Sequence, residues 1–154
     1  MKLTTVKTDS NSLDFVNLVS LLDRDLLSRY GDQQTFFDQF NKTDTIRHVI
    51  VAYVDGVPAG CGAIKHTVDN CMEIKRMYVV GEHRGRGIAK LILNALETWS
   101  VELGFNRCVL ETGKSQPEAI SLYRKVGYVL IDNYGPYIGV ENSVCMEKQL
   151  TADF

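Results

Sequence analysis

The sequence predicts a mixed α/β (α+β) fold. Strand-like segments joined by tight turns come first, and strands alternating with amphipathic helices follow, which implies one sheet, antiparallel early and locally parallel later. No repeat, linker or low-complexity tract divides the chain, so residues 1–154 read as a single domain. With 45% hydrophobic and 23% charged residues the composition is that of a globular protein, which excludes disorder, collagen and coiled coil. A chain this long buries roughly two thirds of its unfolded surface and needs no covalent staple.

Lys2 to Lys7 is short and β-rich, and Asp9, Ser10, Asn11 and Ser12 supply capping residues for a helix. Val16, Val19, Leu22 and Leu26 recur at helical spacing up to Tyr30-Gly31. Asp32 to Thr45 is polar with Phe36, Phe37 and Phe40, and predicts a short second helix. Arg47 to Val54 and Val57 to Thr67 are strands around the hairpin signal Asp55-Gly56. Asp69-Asn70 turns the chain into a third strand, Met72 to Val80, followed by the glycine-rich stretch Gly81 to Gly87.

Ile88, Leu91, Ile92, Ala95, Leu96, Trp99 and Leu103 then recur every three or four residues, a core-facing helix stopped by Gly104. Arg107 to Thr112 is a buried strand and Gln116 to Val126 a helix closed by Gly127. Tyr128 to Ile131 is a further strand. A long loop, Asp132 to Asn142, leads to the last one, Ser143 to Lys148.

A net charge of −2 and a pI near 5.9 give no bulk attraction to nucleic acid or anionic lipid. No apolar run approaches the roughly 20 residues that cross a bilayer, and the first residues lack the apolar stretch of a signal peptide. A cytoplasmic protein with neither nucleic-acid nor membrane partner is expected. Cys61, Cys71, Cys108 and Cys145 lie singly in apolar runs and read as buried reduced thiols. His48, His66 and His83 show no metal-ligand spacing, so no metal is predicted.

Arg84-Gly85-Arg86-Gly87-Ile88-Ala89 lies between a strand and the strongest helix. Glycines let backbone approach an anion without a Cβ in the way, and the helix N-terminus adds a favourable dipole. The two arginines add charge, and together they describe a pyrophosphate cradle. Ile88-Ala89-Lys90 after Gly87 lacks the Lys-Ser/Thr of a P-loop. Lys90 stands where a dinucleotide fingerprint needs Gly or Ala, and the turn follows several strands rather than the first.

This hexapeptide resembles the Arg/Gln-x-x-Gly-x-Gly/Ala motif of the GNAT superfamily of acetyl-CoA-dependent N-acetyltransferases. The strand Glu73 to Val79 and the segment Glu118 to Tyr128 are similar to the motifs that flank it in that family, in the same order and spacing. The resemblance covers nearly the whole chain, most strongly from Val51 to Tyr128. It implies a mixed central sheet of about seven strands and about four helices, splayed between the fourth and fifth strands, with acetyl-CoA in the V-shaped gap.

The resemblance also implies roles. Amides of Arg84, Gly85, Arg86, Gly87, Ile88 and Ala89 would hold the CoA pyrophosphate. Backbone groups of Met77, Tyr78 and Val79, on a bulged strand, would pair with the pantetheine arm and polarise the thioester carbonyl. Tyr123 matches the tyrosine that protonates the leaving thiolate. Glu73 stands where some members carry a catalytic glutamate and is the first choice of base, with Glu111, His66 or an ordered water as alternatives. Many members carry an Asn at the start of the second helix of this region, where this chain has Gln116-Pro117-Glu118.

The acceptor is expected at the sheet opening, bordered by 32–40, by Lys65-His66 and by 133–142, whose aromatics and acids suit a cationic amine. Direct transfer to a primary amine of a small molecule is the leading expectation, without an acyl-cysteine, since no thiol has a recognisable base beside it. A protein amine as acceptor, a non-catalytic CoA- or acyl-CoA-binding regulator, and a homodimer made through the last strand are the alternatives.

Overall fold

The computed structural model describes residues 1–31, 46–67 and 70–150. Its strands are β1 (Leu3–Thr8), β2 (His48–Val54), β3 (Val57–Thr67), β4 (Cys71–Val79), β5 (Arg107–Gly113), β6 (Val129–Ile131) and β7 (Ser143–Gln149). They form one seven-stranded sheet in the order β1-β2-β3-β4-β5-β7-β6. Three helices are described, α1 (Leu13–Tyr30), α2 (Ile88–Glu102) and α3 (Pro117–Lys125), one fewer than expected. The short helix expected within Asp32 to Thr45 lies outside the described residues.

The local signals act as the sequence suggests. The Ser12 hydroxyl accepts a hydrogen bond from the Phe15 amide and starts α1, and Gly31, at φ 54°, ends it. Asp55 and Gly56 both have positive φ, 50° and 82°, as a tight hairpin turn requires, and pair Val54 with Val57. β1 to β4 are mutually antiparallel.

The sheet is covered on both faces, which is why β2 is apolar nearly throughout rather than alternating. On one face α2 buries Ile88, Ile92, Leu93 and Leu96 among Ile50, Ile64, Met72 and Leu110, worth roughly 1.5–3 kcal/mol for each such side chain. On the other, α1 sets Phe15, Leu18 and Val19 against Val49, Val51, Cys61 and Ala63. The β3 run Ala-Gly-Cys-Gly-Ala has small residues for a packing reason. A Cβ on Gly62 would come within 2.8 Å of Ile92 Cγ2 and 2.9 Å of Leu96 Cδ1.

Two features shape the site. β4 and β5 are parallel neighbours but pair only from Met72 with Cys108 to Ile74 with Leu110, after which they separate. The splay expected between the fourth and fifth strands is present. The register of β4 on β3 also slips by one residue between the pairs Ala63–Lys75 and Cys61–Tyr78, a bulge in which Arg76 adopts φ 56°. Left-handed backbone at a non-glycine residue costs roughly 1–2 kcal/mol. It is held by the buried Arg76 guanidinium, which donates to Asp23 of α1 at 2.8 Å.

Candidate active site

The gap between the separated strands holds two cavities joined end to end. The larger, about 350 Å³, runs from β4 to the turn before α2 and is lined by Met77, Tyr78, Val79, Arg84, Gly87 and Ala119, among others. The smaller lies deeper on the α1 face, lined by Glu73, Lys75, Glu111, Tyr30 and Tyr137. Leu22, Met77, Gln116 and Tyr123 line both.

The larger cavity has the chemistry of an anion and amide receptor. Gly85 and Gly87 both sit at φ 79°, and a Cβ on either would meet nothing within 4 Å. Glycine serves here for its backbone conformation, which a side chain would strain. The first α-helical bond of α2 runs from Leu91 N–H to Gly87 C=O, so the amides of Ile88, Ala89 and Lys90 have no helical acceptor. Arg84 folds back, donating from Nε to the Val79 carbonyl at 2.9 Å and lying over the Tyr78 ring. Past Ile74 the β5-facing edge of β4 has no strand partner, which leaves Met77 to Val79 as a receptor for another extended chain.

The smaller cavity is a polar niche closed by aromatic rings. Period-two alternation puts Glu73 and Lys75 of β4 and Glu111 of β5 on the α1 face of the sheet. Glu73 is buried, and both its oxygens are engaged: Oε1 accepts from Lys75 Nζ at 3.3 Å and Oε2 from the Tyr134 hydroxyl. Glu111 accepts from the Ser143 hydroxyl at 2.8 Å. Burial pushes its carboxyl up to about 7, against the pull of Ser143 and Lys75.

Tyr123 is buried where the two cavities meet. Burial, with the Glu111 carboxylate adding to it, raises its phenol well above the usual range and keeps it protonated.

Over this junction α1 is clasped to the start of α3. Arg29 pairs with Glu118 and donates to the Ser115 carbonyl at 3.0 Å, and Gln116 Nε2 donates to the Tyr30 hydroxyl at 3.0 Å. Sequence reasoning missed this clasp, because its partners lie at least 86 residues apart. Gln116, standing where the family pattern has Asn, spends its amide here.

Most of the expected residues fall into one groove: Met77, Tyr78 and Val79 along the strand edge, Arg84, Gly85, Gly87, Ile88 and Ala89 at one end, Tyr123 at the junction, Glu73 and Glu111 in the niche. Arg86 lines neither cavity, and its guanidinium lies 3.6 Å from the Met1 sulfur. Of the expected border, Tyr137 lines the niche and Tyr134 bonds Glu73. His66 is not among the lining residues of either cavity and packs on Phe105 instead, and residues 32–40 lie outside the described ones. The four cysteines are buried in β3, β4, β5 and β7 and form no disulfide with one another.

A model of the acetyltransferase (GNAT) family matches residues 15–128. The chain belongs to this family. It is 34% identical over 137 residues to an IAA acetyltransferase of Azospirillum brasilense, covering 88% of this chain and 90% of the relative. A solved structure assigned as an acyl-CoA N-acyltransferase, from Klebsiella pneumoniae, superposes with a TM-score of 0.81 at 29% identity, over 97% and 98% of the two chains. A PaiA N-acetyltransferase of Thermoplasma acidophilum, solved with coenzyme A, shares the fold at a TM-score of 0.74 and 18% identity, over 97% and 99%. This GNAT acetyltransferase is therefore an acyltransferase enzyme with an acyl-CoA as co-substrate. No described helix is long and apolar enough to cross a membrane.

Proposed function

We propose that this acetyltransferase moves an acetyl group from acetyl-CoA directly to a primary amine of a small molecule. Acetyl-CoA supplies the acyl group as a thioester, activated toward an amine. The observation that carries the reading is the position of Tyr123, which lines both the long cavity suited to a phosphorylated chain and the polar niche suited to an amine.

The turn from Arg84 through Gly85, Arg86, Gly87 and Ile88 to Ala89 holds the pyrophosphate by backbone amides and charge. Met77, Tyr78 and Val79 offer a sheet edge to the pantetheine amides, and a backbone N–H of this edge polarises the carbonyl under attack. The protonated Tyr123 phenol donates to the departing sulfur, which lowers the cost of releasing a thiolate. Glu73, in the niche with Glu111, belongs to the acid-base machinery that receives the amine. A route through an acyl-cysteine is disfavoured. Burial pushes Cys61 up to about 12, and Cys108 and Cys145 up to about 11, so none of these is a thiolate nucleophile at neutral pH. The tightness of the niche favours a small molecule over a folded protein as acceptor.

Isothermal titration of the chain with acetyl-CoA tests the reading, with Gly87→Glu as control and an amine panel to follow. One-site binding lost in the variant, followed by CoA-thiol release with a small amine, is the expected result. Absence of binding by a folded chain refutes the proposal. Binding without turnover of any amine assigns the chain to acyl-CoA sensing instead.

A further inference from the structure

We infer that Glu111, on β5, is the base that takes the proton from the acceptor amine, and that Glu73, on β4, positions the amine and Glu111 through the shared Lys75. This inference deepens the proposed acetyl transfer and rests on it.

The argument is geometric. Both carboxyls reach the same niche: Glu73 stands on the last paired rungs of β4 and β5, Lys75 and Glu111 stand just past them where the strands separate, and all three line the opening. A base must have a lone pair to offer an incoming N–H. Both oxygens of Glu73 already accept hydrogen bonds, from Lys75 and Tyr134. Glu111 has one oxygen engaged, Oε2 by the Ser143 hydroxyl, and no described residue engages Oε1.

The charged and titratable groups that face Glu111 come from every neighbouring element: Glu73 and Lys75 from β4, Tyr30 from α1, Tyr123 from α3, Tyr137 from the loop before β7 and Cys145 on β7. Lys75, the single cation of that set, is shared with Glu73 at 3.3 Å and so compensates Glu111 only in part. Burial with this half-compensation leaves the carboxyl poised near neutrality, where an acid-base group works best.

The protons balance. An acceptor arriving as an ammonium ion gives one proton to the Glu111 carboxylate and becomes a nucleophilic amine. The N–C bond to the acyl carbon forms and the C–S bond breaks. The second nitrogen proton ends on the CoA sulfur by way of the Tyr123 hydroxyl, which gives its own and is restored. Glu111 then releases its proton to solvent, so each turnover yields amide, thiol and one proton.

The test combines a readout independent of turnover with kinetics. In the full-length protein, the ¹³C carboxyl signal that disappears in Glu111→Gln titrates near neutrality, and Ser143→Ala, which removes the one hydrogen bond to the ionised form, moves the midpoint up. With the primary amine of highest turnover from a panel of monoamines, diamines and amino acids, kcat/KM has an acid limb at the same midpoint. Glu111→Gln abolishes the limb and lowers kcat about 10²-fold, with calorimetric acetyl-CoA affinity unchanged. Glu73→Gln keeps the limb and raises KM for the amine. A Glu111 signal titrating in the ordinary carboxylate range, or a limb lost in Glu73→Gln and kept in Glu111→Gln, overturns the assignment alone. Failure of the wild type to bind acetyl-CoA overturns the transferase reading beneath it.

Discussion

Tyr30, the last residue of α1, and Gly113, the last of β5, share one space: a Cβ built on Gly113 overlaps the Tyr30 hydroxyl. The end of α1 can lie over the junction of the two cavities because β5 ends in a residue without a side chain. Gly113→Ala is therefore expected to push the Tyr30 ring aside, break its bond with Gln116 and loosen the clasp. Overpacking of this kind costs roughly 1–3 kcal/mol. In a Tyr30→Ala background the same change is expected to cost far less, and chemical denaturation of the four proteins measures that coupling.

Tyr123→Phe keeps the ring among its neighbours and removes only the hydroxyl. Its expected effect is a loss of about 10²-fold in kcat with the acetyl-CoA Kd unchanged, read by single-turnover kinetics and calorimetry. Equal losses in binding and rate would mean that the ring acts by packing alone.

The Glu111 carboxyl links stability to pH. Its folded value of about 7 lies above the ordinary 4.5, so between these values the folded protein binds more protons than the unfolded chain. Stability attributable to this group is highest below pH 4.5, falls as pH rises and levels off above 7, a total of about 3 kcal/mol. The difference between wild type and Glu111→Gln, measured by urea denaturation from pH 4.5 to 8, should follow that slope.

Gly62→Ala should lower stability by roughly 1–3 kcal/mol, because Ile92 and Leu96 are fully buried and cannot move away from the new methyl. The same methyl would press on the Met77 sulfur, and Met77 lines both cavities, so acetyl-CoA affinity should fall as well. Thermal melts and calorimetry on one variant read both effects.

What was legible in the sequence was local. Asp55-Gly56 and the glycines of the Arg84 to Ala89 turn act through their own backbone, and the Ser12 hydroxyl through an amide three residues on, so their structure follows from residue type. Period and family pattern together located β4 and Tyr123. The partners of the two niche carboxylates illustrate what stays hidden. The partners that occupy Glu73 come from Lys75 two residues away and Tyr134 on a distant loop, while Ser143 lies 32 residues beyond Glu111. Spacing says nothing about contacts that topology makes. The small-residue run of β3 was a usable signal of close helix packing, since successive glycines inside a strand mark a neighbour that leaves no room.

The three rungs between β4 and β5 have a mechanical consequence. Four strands stand on one side of this seam and three on the other, and below Ile74 little but side chains bridges them. An extended amide-bearing chain lying along Met77 to Val79 would act as the missing rungs. Loading the enzyme would then brace the sheet across this seam, and the folded state would gain stability that grows with the ratio of ligand concentration to Kd. Among the described residues, those three rungs are the whole of the β-ladder that joins the two halves of the sheet.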